Sequence, residues 1–442
     1  MPSGGGSAGV PKQGAERRIG LTSAAALVVA NMIGAGVFTT SGFALADLGR
    51  PGTVLLAWAV GGVLALCGAL SYGALARRIP ESGGEYTFLT RTLHPLLGFL
   101  AGWVSLLAGF TAPIAAAALG LQAYLVGSGG MMLRPEWVGT GAILAAGLMH
   151  GMRLREGVAL QNLAVGVKLA AIAAFVVLGA FELGGGARYG AALSTSFEPG
   201  AFAVTLVWIS FSYSGWNAAV YVAGEMRDPE RDLPRALMLA TAVVTLAYVS
   251  LNAVFLYAAP ADALAGKAQV GAIAAEFLGG PGLRRALTVL VALALFTSIS
   301  SMVMAGPRVY ARMAEDGLFP RALAPAGGIP RRAVALQVVL AVVVVWTTGL
   351  VELLGYIGFT LSLSASATVL GLIRLRRREG AERVPVPGHP WVPGLFVLAS
   401  ASTAAFMISR QPWEAGWGLL TIAAGVPVYF WLERRRRHGG KR

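Results

Sequence analysis

The stretch NMIGAGVF, Asn31 to Phe38, places two glycines in the middle of an apolar run long enough for a helix. A glycine inside a helix costs about 1 kcal/mol relative to alanine. Close packing through small residues is one account of the pair. A deliberate break is the other. The stretch SFSYSGWN, Ser210 to Asn217, bears on the choice. It gathers Ser210, Ser212, Ser214 and Asn217 around Gly215, again inside an apolar run. A helix facing lipid does not carry such a cluster. Two interrupted helices in corresponding places are the sequence pointer to a binding site built from inverted repeats.

The surrounding chain places both stretches in a membrane. Of 442 residues, 56% are hydrophobic and 13% charged. A soluble domain carries about 25% charge. A helix crosses the hydrocarbon core with about 20 apolar residues. Twelve segments fit, at 19–46, 53–76, 96–125, 137–150, 157–181, 201–224, 234–258, 286–312, 333–350, 353–373, 391–408 and 416–432. They are called segments 1 to 12 below. Period-2 alternation is missing, so the predicted fold class is an all-α integral membrane bundle rather than a barrel. NMIGAGVF lies in segment 1 and SFSYSGWN in segment 6. Five spans separate them, and an odd number inverts the second unit. Segments 1–5 and 6–10 can therefore form an inverted repeat, with 11 and 12 appended.

Such breaks have a definite chemistry. The half-helix that begins at a break presents free N–H groups at its positive dipole end, which suits a carboxylate. The half-helix that ends there presents free carbonyls, which suit an ammonium. Together they complement a zwitterion, the form of an α-amino acid.

The net charge of +14 would suit a nucleic-acid partner if it were spread evenly. It is not. With both termini in the cytoplasm, 27 of the 35 Lys and Arg fall on the inner side. Only Arg50, Arg134, Arg188, Lys267, Arg284, Arg285 and Arg410 fall outside. This is the positive-inside bias, and it accounts for the basic composition without nucleic acid. Arg434–Arg437 suits an anionic leaflet or a solvated tail equally. Cys67 is the single cysteine, so an intrachain disulfide is excluded. Residues 1–14 read as a polar tail without the apolar region of a signal peptide. No Ser/His/Asp constellation or metal spacing falls within the apolar segments, so no enzyme, metal site or cofactor is expected. No ring of filter residues speaks for a channel. The alanine-, glycine- and arginine-rich composition points to a bacterial inner membrane.

The remaining charge, Lys168, lies in QNLAVGVKLAAIAAFVVLGAF, Gln161 to Phe181. Eleven residues from the start of segment 5 place it about 17 Å deep at 1.5 Å per residue. A lysine at mid-membrane costs roughly 2.5–3.5 kcal/mol and faces the bundle or water. The carboxylates fall in loops or at segment ends, with Asp47 and Glu225 nearest the core. A cationic substrate is usually met by a buried acid or an aromatic face. With no such acid apparent, small or medium neutral amino acids are the expected substrates.

NMIGAGVF, RIPESGGEYTFLTR (78–91), FSYSGWN, VAGEMRDPERDLPRAL (222–237) and RVYARMAEDGLFP (308–320) keep the order and spacing of a known family. From residue 19 onward the chain resembles the amino acid–polyamine–organocation superfamily, and looks most like bacterial relatives of the L-type amino acid transporters. The resemblance implies secondary amino acid transport on a LeuT-type 5+5 repeat of twelve transmembrane helices. Segments 1 and 6 would be discontinuous. The divisions would be 1–18, a disordered cytoplasmic tail; 19–182 and 198–377, the two repeats; 391–433, segments 11 and 12; and 434–442, a basic cytoplasmic tail.

By position, the resemblance implies that the amides of Ala35 and Gly36, beside Gly34, take the substrate carboxylate. Carbonyls of Met32, Phe211 and Ser214 would take the ammonium, around Ile33, Ser212 and Gly215. Phe211, Trp216 and Glu225 would gate the site. Alanine stands at 35 where the family often has serine, which removes one hydroxyl contact. Lys168 would put its ammonium where sodium-coupled members hold sodium, against carbonyls near Ile33 and the hydroxyl of Ser298 or Ser301. Transport would then be independent of sodium. Either Lys168 trades a proton during the cycle, or it stays charged and the protein exchanges one amino acid for another. Cationic amino acids and polyamines are the alternative substrates. Animal L-type relatives bond a glycoprotein through a cysteine after segment 3; residues 126–136 contain none, so no disulfide-linked partner is expected.

Overall fold

The computed structural model describes residues 19–126, 134–151, 157–184, 197–324 and 330–439. The expected disorder of 1–18 lies outside them. Among the described residues there is no named strand; one isolated bridge joins Ile19 to Met226. Everything else regular is helical.

Segment 1 is two helices, Leu21–Met32 and Ala35–Leu48, and segment 2 is Pro51–Arg78. Segment 3 runs through Pro95–Val104, Ser105–Thr111 and Ala112–Val126, and its middle piece is a π-helical turn. Segments 4 and 5 are Pro135–Gly151 and Gly157–Glu182. Segment 6 begins as Pro199–Tyr213 and resumes as a 3₁₀ helix, Ala218–Glu225. Pro229–Ala258, Val270–Glu315, Arg331–Thr347, Leu350–Glu379, Trp391–Arg410 and Pro412–Gly439 complete the series. Proline opens segments 2, 3, 6 and 7 at the first helical position, where its missing N–H is no loss.

Among the described residues, nine helices are long and apolar enough to cross a membrane. Segments 4 and 9 are 17 residues each, and the first part of segment 6 is 15. The chain is thus a multi-pass helical bundle.

Three boundaries differ from the sequence reading. Segment 8 is 46 residues long because a second helical leg precedes it, turned at Gly279–Gly280 before Pro281. Segment 7 starts at Pro229, with the Asp228 side chain accepting from the Arg231 N–H. Segment 12 continues through 434–439, so this part of the basic tail is helical. Arg435 lies 3.9 Å over the Trp431 ring, one turn back, which holds that end in register.

The loop between segments 2 and 3 is the difference that matters most. Gly83 (φ 120°) and Gly84 (φ 57°) turn the chain back into the bundle, and a helix, Gly84–Thr92, starts there. A side chain at either glycine would be strained, and one at Gly84 would also strike the Tyr221 ring. Segment 2 packs along 7, segment 3 along 8, and segment 4 along 9. The second half of segment 1 packs against the first half of segment 6.

Candidate functional site

The site begins where the two breaks cross. Segment 1 leaves helical geometry at Ile33 (φ −76°, ψ 84°) and Gly34 (φ −126°, ψ −150°). Segment 6 leaves it at Ser214 (φ −55°, ψ 152°) and Gly215 (φ 95°). Irregular backbone at membrane depth survives only when protein covers it. Here each break covers the other. A Cβ on Gly36 would lie 2.3 Å from Ser212 Oγ, and one on Gly215 would lie 2.8 Å from the Asn31 carbonyl carbon. Both glycines are there because backbone meets backbone.

The freed polar groups are accounted for individually. Lys168 Nζ donates to the Ile33 carbonyl at 3.0 Å and is 1% exposed. The Met32 carbonyl accepts from Gly34 N–H at 2.8 Å and from Tyr248 Oη at 2.5 Å. The same Tyr248 hydroxyl is 3.1 Å from the Ser212 carbonyl, so one side chain of segment 7 links both breaks. Ser212 Oγ is 2.9 Å from Thr40 Oγ1 and 3.2 Å from the Trp208 carbonyl. Ser214 N–H donates to the Phe211 carbonyl at 2.8 Å. Ala35 and Gly36 open the second half of segment 1, where N–H groups have no partner within their own helix.

Segment 8 brings its serines to the first break. A Cβ on Gly34 would be 2.9 Å from Ser298 Oγ. Ser301 Oγ instead donates to the Ser298 carbonyl at 3.0 Å, within its own helix. Ser298 is therefore the serine that faces the break.

A cavity of about 100 Å³ lies beside the crossing. Of the residues expected to bind substrate or gate it, Ser214, Gly215 and Trp216 line it. Met32, Ile33, Gly34, Ala35, Gly36, Phe211 and Ser212 sit behind that wall, all buried, in the crossing itself. Trp216 stands edge-on between Tyr72, 4.6 Å between ring centroids, and Phe396, 6.2 Å. Glu225 closes the second half of segment 6. Its Oε1 accepts from Arg308 Nε at 3.0 Å, and its carbonyl accepts from Ile19 N–H at 3.2 Å. Ile19 O in turn accepts from Arg227 N–H at 3.0 Å, which straps the start of segment 1 to the end of segment 6.

One expectation is overturned. Asp47 and Glu225 are not the carboxylates nearest the core; Glu85 is. It is 6% exposed and lines the cavity. Asn217 Nδ2 donates to Oε1 at 2.5 Å, Tyr72 Oη to Oε1 at 3.1 Å, and Tyr221 Oη to Oε2 at 2.5 Å. The Gly83–Gly84 turn is what carries it inward. Its sequence signal is the glycine pair directly before the acid, in PESGGEY. Sequence reasoning also missed Tyr248, a tyrosine at mid-segment, and Ser105, Gly109 and Phe110, which the π turn of segment 3 aims at the cavity. π turns are frequent at functional sites.

A match to the amino acid permease family covers residues 19–426. The chain is 28% identical to the human "Large neutral amino acids transporter small subunit 2", over 97% of this chain and 84% of that protein. It is 28% identical to the "Serine/threonine exchanger SteT" of Bacillus subtilis (strain 168), over 96% and 98%. It is also 28% identical to the mouse "Asc-type amino acid transporter 1", over 94% and 81%. With two broken helices crossing in a multi-pass bundle and a match over almost its whole length, the chain belongs to the amino acid permease family of the amino acid–polyamine–organocation superfamily.

Proposed function

We propose that this protein is a sodium-independent secondary transporter of small and medium neutral L-amino acids, working by alternating access in a bacterial inner membrane with both termini cytoplasmic. The observation that carries the reading is the crossing of the two breaks. It sets helix-start N–H groups that have no partner within their own helix beside ended half-helices, next to a cavity lined by Ser214 and Gly215, the complement of a zwitterion. Twelve spans in a 5+5 inverted repeat fit the pairwise packing of segments 1 with 6, 2 with 7, 3 with 8 and 4 with 9. Related elements meet in this way across a twofold axis. Ala35 and Gly36 amides hold the carboxylate, and carbonyls at the break ends hold the ammonium. In this conformation the Met32 carbonyl accepts from Gly34 N–H and Tyr248, and the Phe211 carbonyl from Ser214 N–H, so an ammonium would share or displace these donors. Trp216 and Phe211 close over the substrate, and Glu225 with Arg308 closes the cytoplasmic side.

Lys168 is the coupling residue in this reading. Its ammonium ties segment 1 at Ile33 beside Ser298, with Ser301 one turn further on. A built-in cation at that place removes the need for sodium, and a proton trading on and off Lys168 drives net uptake. The named exchanger among the relatives favours a second reading, obligatory exchange with Lys168 as a fixed tie. Radiolabelled alanine uptake into proteoliposomes separates the two. Uptake into empty vesicles that rises with an inward proton gradient supports symport. Uptake that needs amino-acid-loaded vesicles and ignores the gradient supports exchange. No alanine uptake in either format rejects the reading.

A further inference from the structure

Among the described residues lining the cavity, Glu85 is the one charged side chain. Its three partners, Tyr72, Asn217 and Tyr221, all donate to it. Convergent donors suit the ionised carboxylate, which only accepts. None of the three carries a positive charge. Arginines of the neighbouring sequence and of segment 8 are engaged in their own pairs: Arg312 with Asp316, Arg91 with Glu81, and Arg78 with Glu379. Lys168 is turned to the Ile33 carbonyl and does not line the cavity. The cavity therefore carries one uncompensated negative charge, held in place by neutral dipoles.

We propose that Glu85 is the charge filter of the transport site. Its carboxylate rejects amino acids with anionic side chains and admits neutral and hydrogen-bond-donating ones. A fixed charge acts over several ångströms in a buried, low-dielectric space, so the filter needs no direct contact with the substrate. Rejection by a like charge is the repulsive half of specificity. The three donors keep the carboxylate from turning toward the substrate, so it repels acids without trapping cations. The proposal rests on the cavity being the transport site, and it assigns the substrate class by side-chain charge.

The test compares isosteres. Asparagine and aspartate, and glutamine and glutamate, differ in charge at nearly constant shape. Each is set to compete with radiolabelled alanine uptake into proteoliposomes at pH 7. In wild type the neutral member of each pair should compete about tenfold or more better than the acidic one. Glu85→Gln should shrink that ratio about tenfold, read within the variant whatever its absolute alanine uptake. Ser105→Lys, at another position lining the same cavity, should shrink it by adding a compensating cation while Glu85 itself is kept, which covers the case of a Glu85→Gln chain that does not fold. Equal competition by both members in wild type, or a ratio that survives both substitutions, overturns the proposal and leaves Glu85 as a structural anchor. A Glu85→Gln effect confined to a loss of lysine competition would assign a cation subsite instead, and also overturn it. If wild type moves no alanine, the transport reading fails on its own. The same isosteric pairs, compared by thermal shift of the purified chain, then decide whether the charge filter exists.

Discussion

At the scale of single residues, three side chains hold the crossing in place: Lys168, Tyr248 and Glu85. Each satisfies backbone or side-chain groups that a broken helix leaves open. Tyr248→Phe removes the hydroxyl shared by the Met32 and Ser212 carbonyls. The Met32 carbonyl keeps the Gly34 N–H, and loss of the hydroxyl at the buried Ser212 carbonyl costs about 1–3 kcal/mol. Thermal unfolding of the purified variant should show that loss, and an unchanged midpoint would mean that water replaces the hydroxyl. Lys168 was legible in the sequence because one charge at mid-membrane stands out in an apolar run. Its contact with Ile33 falls where the resemblance implied. The choice between Ser298 and Ser301 was not legible. Three residues apart, they share a helix face, and only the approach of Gly34 separates them. Glu85 was read as a loop acid because position along the chain puts it outside the apolar segments. The direction of a loop depends on backbone angles at two glycines, which composition does not report.

At the scale of elements, the breaks and their contact decide what the bundle can do. Gly215→Ala forces a side chain into a left-handed conformation and against the Asn31 backbone. We expect the variant to insert in the membrane but to lose alanine uptake by about tenfold or more, since unfavourable φ costs about 1–3 kcal/mol and the clash adds to it. Membrane fractions probed for the chain, together with uptake, check both halves. Wild-type uptake in Gly215→Ala would show that the close crossing is dispensable. At the far end of segment 6, the proposed cytoplasmic side, Arg308→Ala frees Glu225 from its partly exposed ion pair. An exposed pair contributes about 0.2–1 kcal/mol, so stability should hardly change. If the pair is a gate, cytoplasmic accessibility of a cysteine at Ser214 should rise in a Cys67→Ser background. Unchanged labelling would make the pair a surface feature. Both breaks were legible because glycine and serine are costly choices inside an apolar helix. The π turn of segment 3 was not, because no residue type marks where one extra residue is accommodated.

At the scale of the whole molecule, the proposed orientation rests on charge placement and span count. It would put the loop holding Lys267 outside and the loop holding Arg383 in the cytoplasm. Single cysteines at these positions, in the Cys67→Ser background, should react from opposite faces of intact cells and inverted vesicles. Labelling of both from one face would mean an even count of spans between them and would break the proposed repeat. The nine helices long and apolar enough to cross a membrane among the described residues were legible from apolar length alone. Their pairwise packing was not, because it follows from the crossing geometry rather than from any run of residues.

The central claim is that Lys168 does the work of a coupling cation in an amino acid transporter. Alanine uptake into proteoliposomes with sodium wholly replaced by choline, for wild type and Lys168→Ala at matched reconstitution, tests it most directly. The account predicts that wild type is indifferent to the replacement. It predicts that Lys168→Ala, with the buried Ile33 carbonyl left without its donor, falls about tenfold or more. Strict sodium dependence of the wild type, or full activity of Lys168→Ala, would contradict it.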